Sequence, residues 1–411
     1  MIAANEVKKT DIGSIPNEWD VVNLSDNSVA DLIMGQSPSS STYNQDGVGL
    51  PFMQGKAEFG RIYPNPDKWC SLPSRVAEQN DVLMSVRAPV GDVNIAPFKC
   101  AIGRGLAAIR AKQKSKSLYL FFYLCFAKKR LEDEGTGSTF KAINKGVLEN
   151  FKIALPEIDE QKNIIAILSK LQQTIAQQEQ IIAKTKELKR SLMHRLFTYG
   201  LWGEELKETE IGLMPVSWNY ITLGDVCNYT TGKLNSNAAR DGGQYPFFTC
   251  SQETFKIDRY SFDQEALLLA GNNARAIYSV KYYNGKFDVY QRTYVISIKD
   301  TNICSYKYLL YELTRKLEML RVSSLGSTTK YLTAGIIKGL KIVFPPLDEQ
   351  EEIAAILGTI DGKLITESNR KNYLNHLFKT MLNNLMTGQV RVKDVDFYDV
   401  VARSETTKQS Q

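Results

Sequence analysis

The sequence predicts an α+β chain: two mixed α/β modules separated by an antiparallel coiled coil of two long helices, with the whole forming a pseudo-twofold internal repeat. Three observations predict it. Ile12-Gly13-x-x-Pro16-x-x-Trp19, followed by Leu24 and Asp26, recurs 199 residues later as Ile211-Gly212-x-x-Pro215-x-x-Trp218, followed by Leu223 and Asp225. Gly137-Ser138-Thr139-x-Lys141 through Phe151-Lys152-Ile153, Pro156 and Asp159-Glu160-Gln161 recurs 189 residues later as Gly326-Ser327-Thr328-x-Lys330 through Leu340-Lys341-Ile342, Pro345 and Asp348-Glu349-Gln350. The smaller offset places a net deletion of ten residues inside the second copy, so each repeat has fixed ends and a variable middle. The third observation is the heptad pattern that follows each Asp-Glu-Gln.

Residues 1–155 are read as the first module and 201–345 as the second. Their variable middles, 27–136 and 226–325, hold short Val, Ile, Tyr and Phe stretches broken by Gly, Pro and Asn, such as Asp81 to Val86 and Tyr294 to Ile298. That pattern reads as strands, with one longer helix per module over 118–132 and 305–321. Residues 156–200 and 346–390 are read as the two seam helices. Stepping by four and three from Ile164 through Leu168, Leu171, Ile175, Gln178, Ile182, Thr185, Lys189 and Leu192 to Leu196 gives seven apolar positions in ten. The same walk from Ile353 to Leu385 gives eight in ten, passing Glu367 and Lys371. Such a period marks a coiled-coil seam. Pro156, or Pro345 and Pro346, precedes each helix, an Asp suits the N-cap, and the first turn is acidic. Gly200 and Gly388 stop them. Each helix of about 39 residues would extend roughly 58 Å, and neither can bury its seam alone. An antiparallel pair is the economical solution, with one module at each end of the rod, Gln178 opposite Lys371 and Glu367 opposite Ile182. The competing arrangement packs each helix on its own module. Residues 391–411 are a C-terminal tail.

With 411 residues, 43% hydrophobic and 10% aromatic, the chain can form two or three cores. The first nine residues lack an apolar stretch, and the longest apolar run, 118–127, is about half of a bilayer span. A soluble, cytoplasmic protein without membrane contact is expected. Only two histidines occur, His194 and His376, both on the seam helices, so a His-rich metal centre is excluded. Six cysteines lie far apart with no C-x-x-C pair and read as small apolar residues of a reducing compartment. No G-x-x-x-x-G-K-[ST] loop occurs, and Gly103-Arg104-Gly105 is only the first half of a dinucleotide fingerprint. The Asn-Pro-Pro-aromatic string of amino-methyltransferases is missing too. The chain reads as non-catalytic, without a metal or cofactor of its own.

The net charge of +6 permits a nucleic-acid partner without proving one. By segment, 1–155 carries 19 basic and 16 acidic residues and 201–344 carries 17 and 14, so each module is weakly basic. Two loops stand at the same point of their repeats, ahead of Pro51-Phe52 and Pro246-Phe247. One offers Gln36, Ser37 and Ser39, the other Lys233, Asn235, Asn237 and Arg240. Amides pair with adenine, basic groups with guanine, and Ser or Lys with phosphates. Equally, such Gly, Asn and Ser runs form plain turns. Arg87, Arg104, Arg275 and Arg292 follow apolar strands and read as groove or phosphate contacts, or as surface ion-pair members. Lys56, Arg61, Lys141 and Lys330 complete the DNA-contact candidates.

This order of parts resembles the specificity subunits of Type I restriction-modification systems over roughly residues 11–390. The resemblance rests on the duplicated Ile-Gly-x-x-Pro-x-x-Trp, the Gly-Ser-Thr with its following Lys, the Pro-x-x-Asp-Glu-Gln helix entry and the paired seam helices. Arg87-Ala88-Pro89-Val90-Gly91-Asp92 and Gly232-Lys233-Leu234-Asn235 are similar to segments of that family's target recognition domains. It implies that each module reads half of a split site in double-stranded DNA, and that the helices space the modules. It also implies docking of methyltransferase subunits, two of them, and of restriction/translocase subunits. S-adenosylmethionine, ATP and Mg would then belong to those partners. Two other classes stay open: a coiled-coil scaffold binding proteins or glycans, and a nuclease with an unfamiliar motif.

Overall fold

The computed structural model describes residues 6–135, 142–274 and 276–392. The chain divides into two compact units, Met1–Gln178 with Arg370–Gln411, and Glu179–Asn369. Eight α-helices lie among the described residues: α1 (Ser117–Phe126), α2 (Lys128–Glu134), α3 (Lys145–Asn150), α4 (Ile158–Tyr199), α5 (Leu223–Val226), α6 (Tyr306–Ser323), α7 (Ala334–Lys338) and α8 (Leu347–Met386). The long helices α4 and α8 hold 42 and 40 residues, and each contributes a stretch to both units. No helix among the described residues is long and apolar enough to cross a membrane.

In the first unit a four-stranded antiparallel sheet runs Val93–Ile95, Val82–Ser85, Leu106–Ala111, Ala30–Met34. A five-stranded mixed sheet runs Tyr43–Asn44, Trp69–Cys70, Leu50–Met53, Cys100–Ile102, Val76–Ala77. Val82, Leu83 and Met84 are all buried, as an unbroken apolar strand covered on both faces should be. Tyr119 to Leu124 are buried as well, because α1 is apolar all round. In the second unit one six-stranded sheet runs Cys227–Thr231, Thr293–Ile298, Phe262–Ala270, Val280–Val289, Tyr245–Phe248, Thr254–Ile257, with α6 packed on it. The helix expected over 305–321 is the single α6. The one expected over 118–132 is instead two helices broken at Ala127, whose φ of −81° and ψ of 3° end α1. The loop after Val86 abuts the break: Asp92 binds Lys128 at 2.7 Å, and a Cβ on Gly91 would meet Lys128 and Leu131 at 3.3–3.5 Å.

The repeated residues do repeated work. Trp19 Nε1 donates to Glu160 at 2.9 Å, and Trp218 Nε1 donates to Glu349 at 2.7 Å, all four residues being buried. Gln161 clamps the entry to α4 by donating to the carbonyls of Pro156 and Lys114 and accepting from Lys116 N. Gln350 does the same at α8 with Pro345, Ile303 and Ser305. Each clamp satisfies backbone groups that a buried helix entry would otherwise strand. The helices start two residues earlier than an N-cap at either Asp requires, so Asp159 and Asp348 stand inside the acidic first turn and not at the N-cap.

α4 and α8 pack antiparallel within each unit. In the first, Ile164 and Leu168 share a core with Leu385 and Met386, and Asn163 donates to the Val392 carbonyl at 2.7 Å. In the second, Leu196 and Phe197 share a core with Ile353 and Leu357, and Lys189 pairs with Asp361. Every position of both heptad walks is buried or half-buried, while His194 and His376 are exposed. Gly200 and Gly388 end the helices with φ of +64° and +67°, a conformation open to glycine at no steric cost. All six cysteines are free, and burial pushes the Cys100, Cys125, Cys227 and Cys304 thiols up to about 12, so they are not nucleophiles at neutral pH.

Candidate nucleic-acid interface

Four backbone segments of the first unit converge on one cleft of about 890 Å³, lined by Ser37, Gln54, Lys56, Glu58, Arg87 and Arg104 among others. Glycines make the convergence possible. A Cβ on Gly35 would sit 2.1 Å from the Gly103 carbonyl oxygen, and one on Gly105 would sit 2.3 Å from that of Gln54. The crossing is sewn by Gly35 N to Leu106 O at 2.8 Å, Gly103 N to Met53 O at 2.7 Å and Gly105 N to Gln54 O at 3.1 Å. Gly103-Arg104-Gly105 is thus a close crossing of chains that holds up one guanidinium, and not part of a nucleotide loop.

Arg104 N also donates to Ser37 Oγ at 3.3 Å, and Ser85 Oγ donates to the carbonyls of Arg87 and Pro89. Arg87 and Arg104 are exposed, and among the described residues neither has a carboxylate within ion-pair distance. Lys56 differs, since it pairs with Asp92 at 2.6 Å. Burial pushes the Asp92 carboxyl up, but the ammonium groups of Lys128 and Lys56 outweigh it and hold the carboxyl below its usual value. Glu58 accepts from Gly55 N at 3.1 Å.

Of the candidates in this module, Ser37, Lys56, Arg87 and Arg104 are brought together. Gln36 is exposed beside them, with its N–H on the Ile102 carbonyl. Ser39 instead bonds Ser41 Oγ in a turn, and Arg61 lines a separate hollow of about 270 Å³ with Asp92 and Lys128. Lys141 lies outside the described residues.

The second module repeats the framework of this crossing, with several of its bonds at equivalent places. Gly103 N to Met53 O corresponds to Tyr290 N to Phe248 O at 2.8 Å, and Val86 N to Gly105 O corresponds to Gly271 N to Arg292 O at 2.8 Å. Ile143 N to Val86 O corresponds to Leu332 N to Gly271 O at 2.8 Å. The strand registers agree: Leu106 faces Ser85 as Thr293 faces Ala270, and Met53 faces Ile102 as Phe248 faces Val289. Gly232 makes the same kind of close approach, since a Cβ there would sit 1.9 Å from the Val289 carbonyl oxygen. Residue for residue, Arg104 then matches Gln291, Arg87 matches Asn272, Gln54 matches Thr249 and Lys56 matches Ser251.

Asn235 is drawn into this second cluster, accepting from Gln291 Nε2 at 2.9 Å. Arg292 follows directly, and Lys330 faces Asn273 in a two-residue ladder. Lys233 and Asn237 are exposed on the neighbouring loop. Arg240 belongs elsewhere, its N–H bonded to Lys256 O beside the Thr254–Ile257 strand. Arg275 lies outside the described residues. Sequence reasoning passed over Gln54, Glu58, Asn272 and Gln291. The repeat offset explains why: it is 195 at Pro51/Pro246, 185 at Ser85/Ala270, 187 at Ile102/Val289 and 189 at Ala142/Tyr331, so no constant shift aligns the middles.

Two copies of one loop crossing, each followed by a helix of a shared seam, agree with the comparison to known proteins. The family model described as Type I restriction modification DNA specificity domain matches residues 16–187 and again 215–376. The chain belongs to the Type I restriction-modification specificity subunits. Over 192 residues, 46% of this chain, it is 48% identical to the MjaX specificity subunit of Methanocaldococcus jannaschii. Over 176 residues, 43% of the chain, it is 35% identical to the EcoDI specificity subunit of Escherichia coli. These stretches span 45% and 38% of the two relatives, less than half of each. The MjaVIII specificity subunit of M. jannaschii is 24% identical over 93% of this chain and 95% of its own length. Among solved structures, the S subunit of a Type-I restriction-modification system from M. genitalium shares the fold at a TM-score of 0.63 and 15% identity, covering 94% of this chain and 98% of that one.

Proposed function

We propose that the chain is the DNA-reading subunit of a Type I restriction-modification enzyme, non-catalytic by itself, and that each module reads one half of a bipartite duplex site. The observation that carries this reading is the family match to both modules, coinciding with a loop crossing that is rebuilt in the second module with different side chains. In the first cluster Arg87 and Arg104 are free to meet phosphates or base edges, and in the second Lys233, Asn235, Arg292 and Lys330 stand around the equivalent place. Phosphate contacts would dominate affinity and base contacts specificity.

The two long helices would act as a spacer and as the dock for methyltransferase subunits, two in number, and for restriction/translocase subunits. S-adenosylmethionine, ATP and Mg would sit on those partners, and the assembly would work on DNA in the cytoplasm. Binding of the full chain to duplexes across a salt series tests the reading: affinity should fall linearly with salt on logarithmic axes, and a split sequence should be preferred. Salt-independent binding, or none, would contradict it. Inserting one heptad into both α4 and α8 should lengthen the preferred spacer by a few base pairs, because each heptad adds about 10 Å of helix. A footprint with an unchanged gap would rule out the spacer role.

A further inference from the structure

The crossing that carries Arg104 in the first module carries Gln291 in the second, with three residues between the same two paired positions in each: 103–105 between Ile102 and Leu106, and 290–292 between Val289 and Thr293. The flanking strand registers and several main-chain bonds recur, so the two side chains occupy the same position of the crossing, although Arg104 N bonds Ser37 Oγ where Gln291 N bonds the Leu234 carbonyl. Their chemistry differs in the way that separates two bases. A guanidinium is a fork of donors and fits guanine O6 and N7; a carboxamide donates and accepts at once and fits adenine N7 and N6.

The surroundings agree with each role. Arg104 is flanked by glycines packed on neighbouring backbone, so no side chain on either side competes for the space it enters. Among the described residues it has no carboxylate partner that a guanine would have to displace. Gln291 uses one Nε2 hydrogen on Asn235 Oδ1 at 2.9 Å, which fixes the amide and leaves its other N–H and its Oε1 for a base edge. The cations at the Lys56 and Arg87 positions around Arg104 are replaced by the neutral Ser251 and Asn272 around Gln291.

We infer that Arg104 and Gln291 are equivalent base-reading residues, Arg104 selecting guanine in the half-site of the first module and Gln291 selecting adenine in the half-site of the second. This rests on the DNA-reading proposal above and assigns to each module a base that the proposal leaves open.

The test is selection of bound duplexes from a randomised pool by the full chain assembled with its methyltransferase subunits. The wild-type chain should enrich a split motif with an invariant guanine in one half and an invariant adenine in the other. Arg104→Gln should lower preference for the guanine about tenfold to a hundredfold and leave the other half unchanged, and Gln291→Arg should do the converse. Arg104→Lys keeps the charge but loses the fork, so it should retain overall affinity while losing discrimination against the other bases. If Arg104→Gln instead weakens all duplexes equally, or if either exchange alters both halves, the assignment is overturned while DNA reading stands. If the wild-type chain enriches no sequence, the DNA-reading proposal itself fails and the assignment falls with it.

Discussion

The module–helix junctions and the loop crossings are both duplicated, but by opposite means. At the junctions the side chains themselves recur: Trp19 on Glu160 and Trp218 on Glu349, Gln161 and Gln350 clamping carbonyls, Thr10 and Thr209 closing the same turn at 2.7 Å. At the crossings the backbone bonds recur while the side chains change from Arg87, Arg104 and Lys56 to Asn272, Gln291 and Ser251. A frame built from side-chain bonds is constrained residue by residue. A scaffold built from main-chain bonds and glycine contacts leaves its exposed side chains free to differ, which is what a reader of two unlike half-sites requires.

The junctions also differ from each other in one respect. Glu349 accepts from Leu201 N at 2.9 Å, a donor delivered by the chain running straight on from α4. The segment after α8 meets the first module without such continuity. There Arg391 grips Glu160 with a two-pronged bond at 2.8 and 2.9 Å and reaches Glu18 at 2.6 Å. The hydrogen bond to Glu160, against the cost of burial, pushes the guanidinium pKa up. An ion pair replaces a covalent neighbour.

The comparison can be broken at both levels. Glu160→Gln removes the buried carboxylate from the Arg391 pair and leaves the exposed Glu18, and should cost about 3 kcal/mol in urea unfolding, at the low end for a broken buried pair. Gly232→Ala thrusts a Cβ onto the Val289 carbonyl and should cost about 1–3 kcal/mol. It should also degrade reading by the second module only, as measured by footprinting on half-site variants. Glu349→Gln removes a charge that faces only neutral donors, so a smaller loss of about 1 kcal/mol is expected. Equal losses in the two Glu→Gln variants would refute the contrast between junctions. Lys233→Ala should weaken binding to all sequences alike and flatten the logarithmic salt slope by about 1, with no measurable change in stability.

Much of the frame was legible in the sequence because its signals are local or repeated. Ile164, Leu168, Ile353 and Leu357 follow a short period along one chain, and the heptad walks mark the buried face. Trp19 and Glu160 are 141 residues apart, and only their joint recurrence marks them as related. The crossing was harder to read. Ser37, Gln54, Arg87 and Arg104 come from loops after separate strands whose order in the sheets does not follow the chain. Arg104 and Arg87 were found because arginines after apolar strands draw notice; Gln291 and Asn272 occupy the same places but carry no charge to flag them. The break at Ala127 was missed because residues 118–132 have no Gly or Pro to announce it, and packing by the Gly91 loop lies outside any local pattern.

The claim that each module reads its own half-site is tested most directly by sequencing the methylome of cells that carry Asn235→Ala in an otherwise intact system. Asn235 braces Gln291 in the second cluster. One half of the methylated motif should become degenerate while the other half and the spacer stay as they were. A motif altered in both halves, or unaltered in either, would contradict the account.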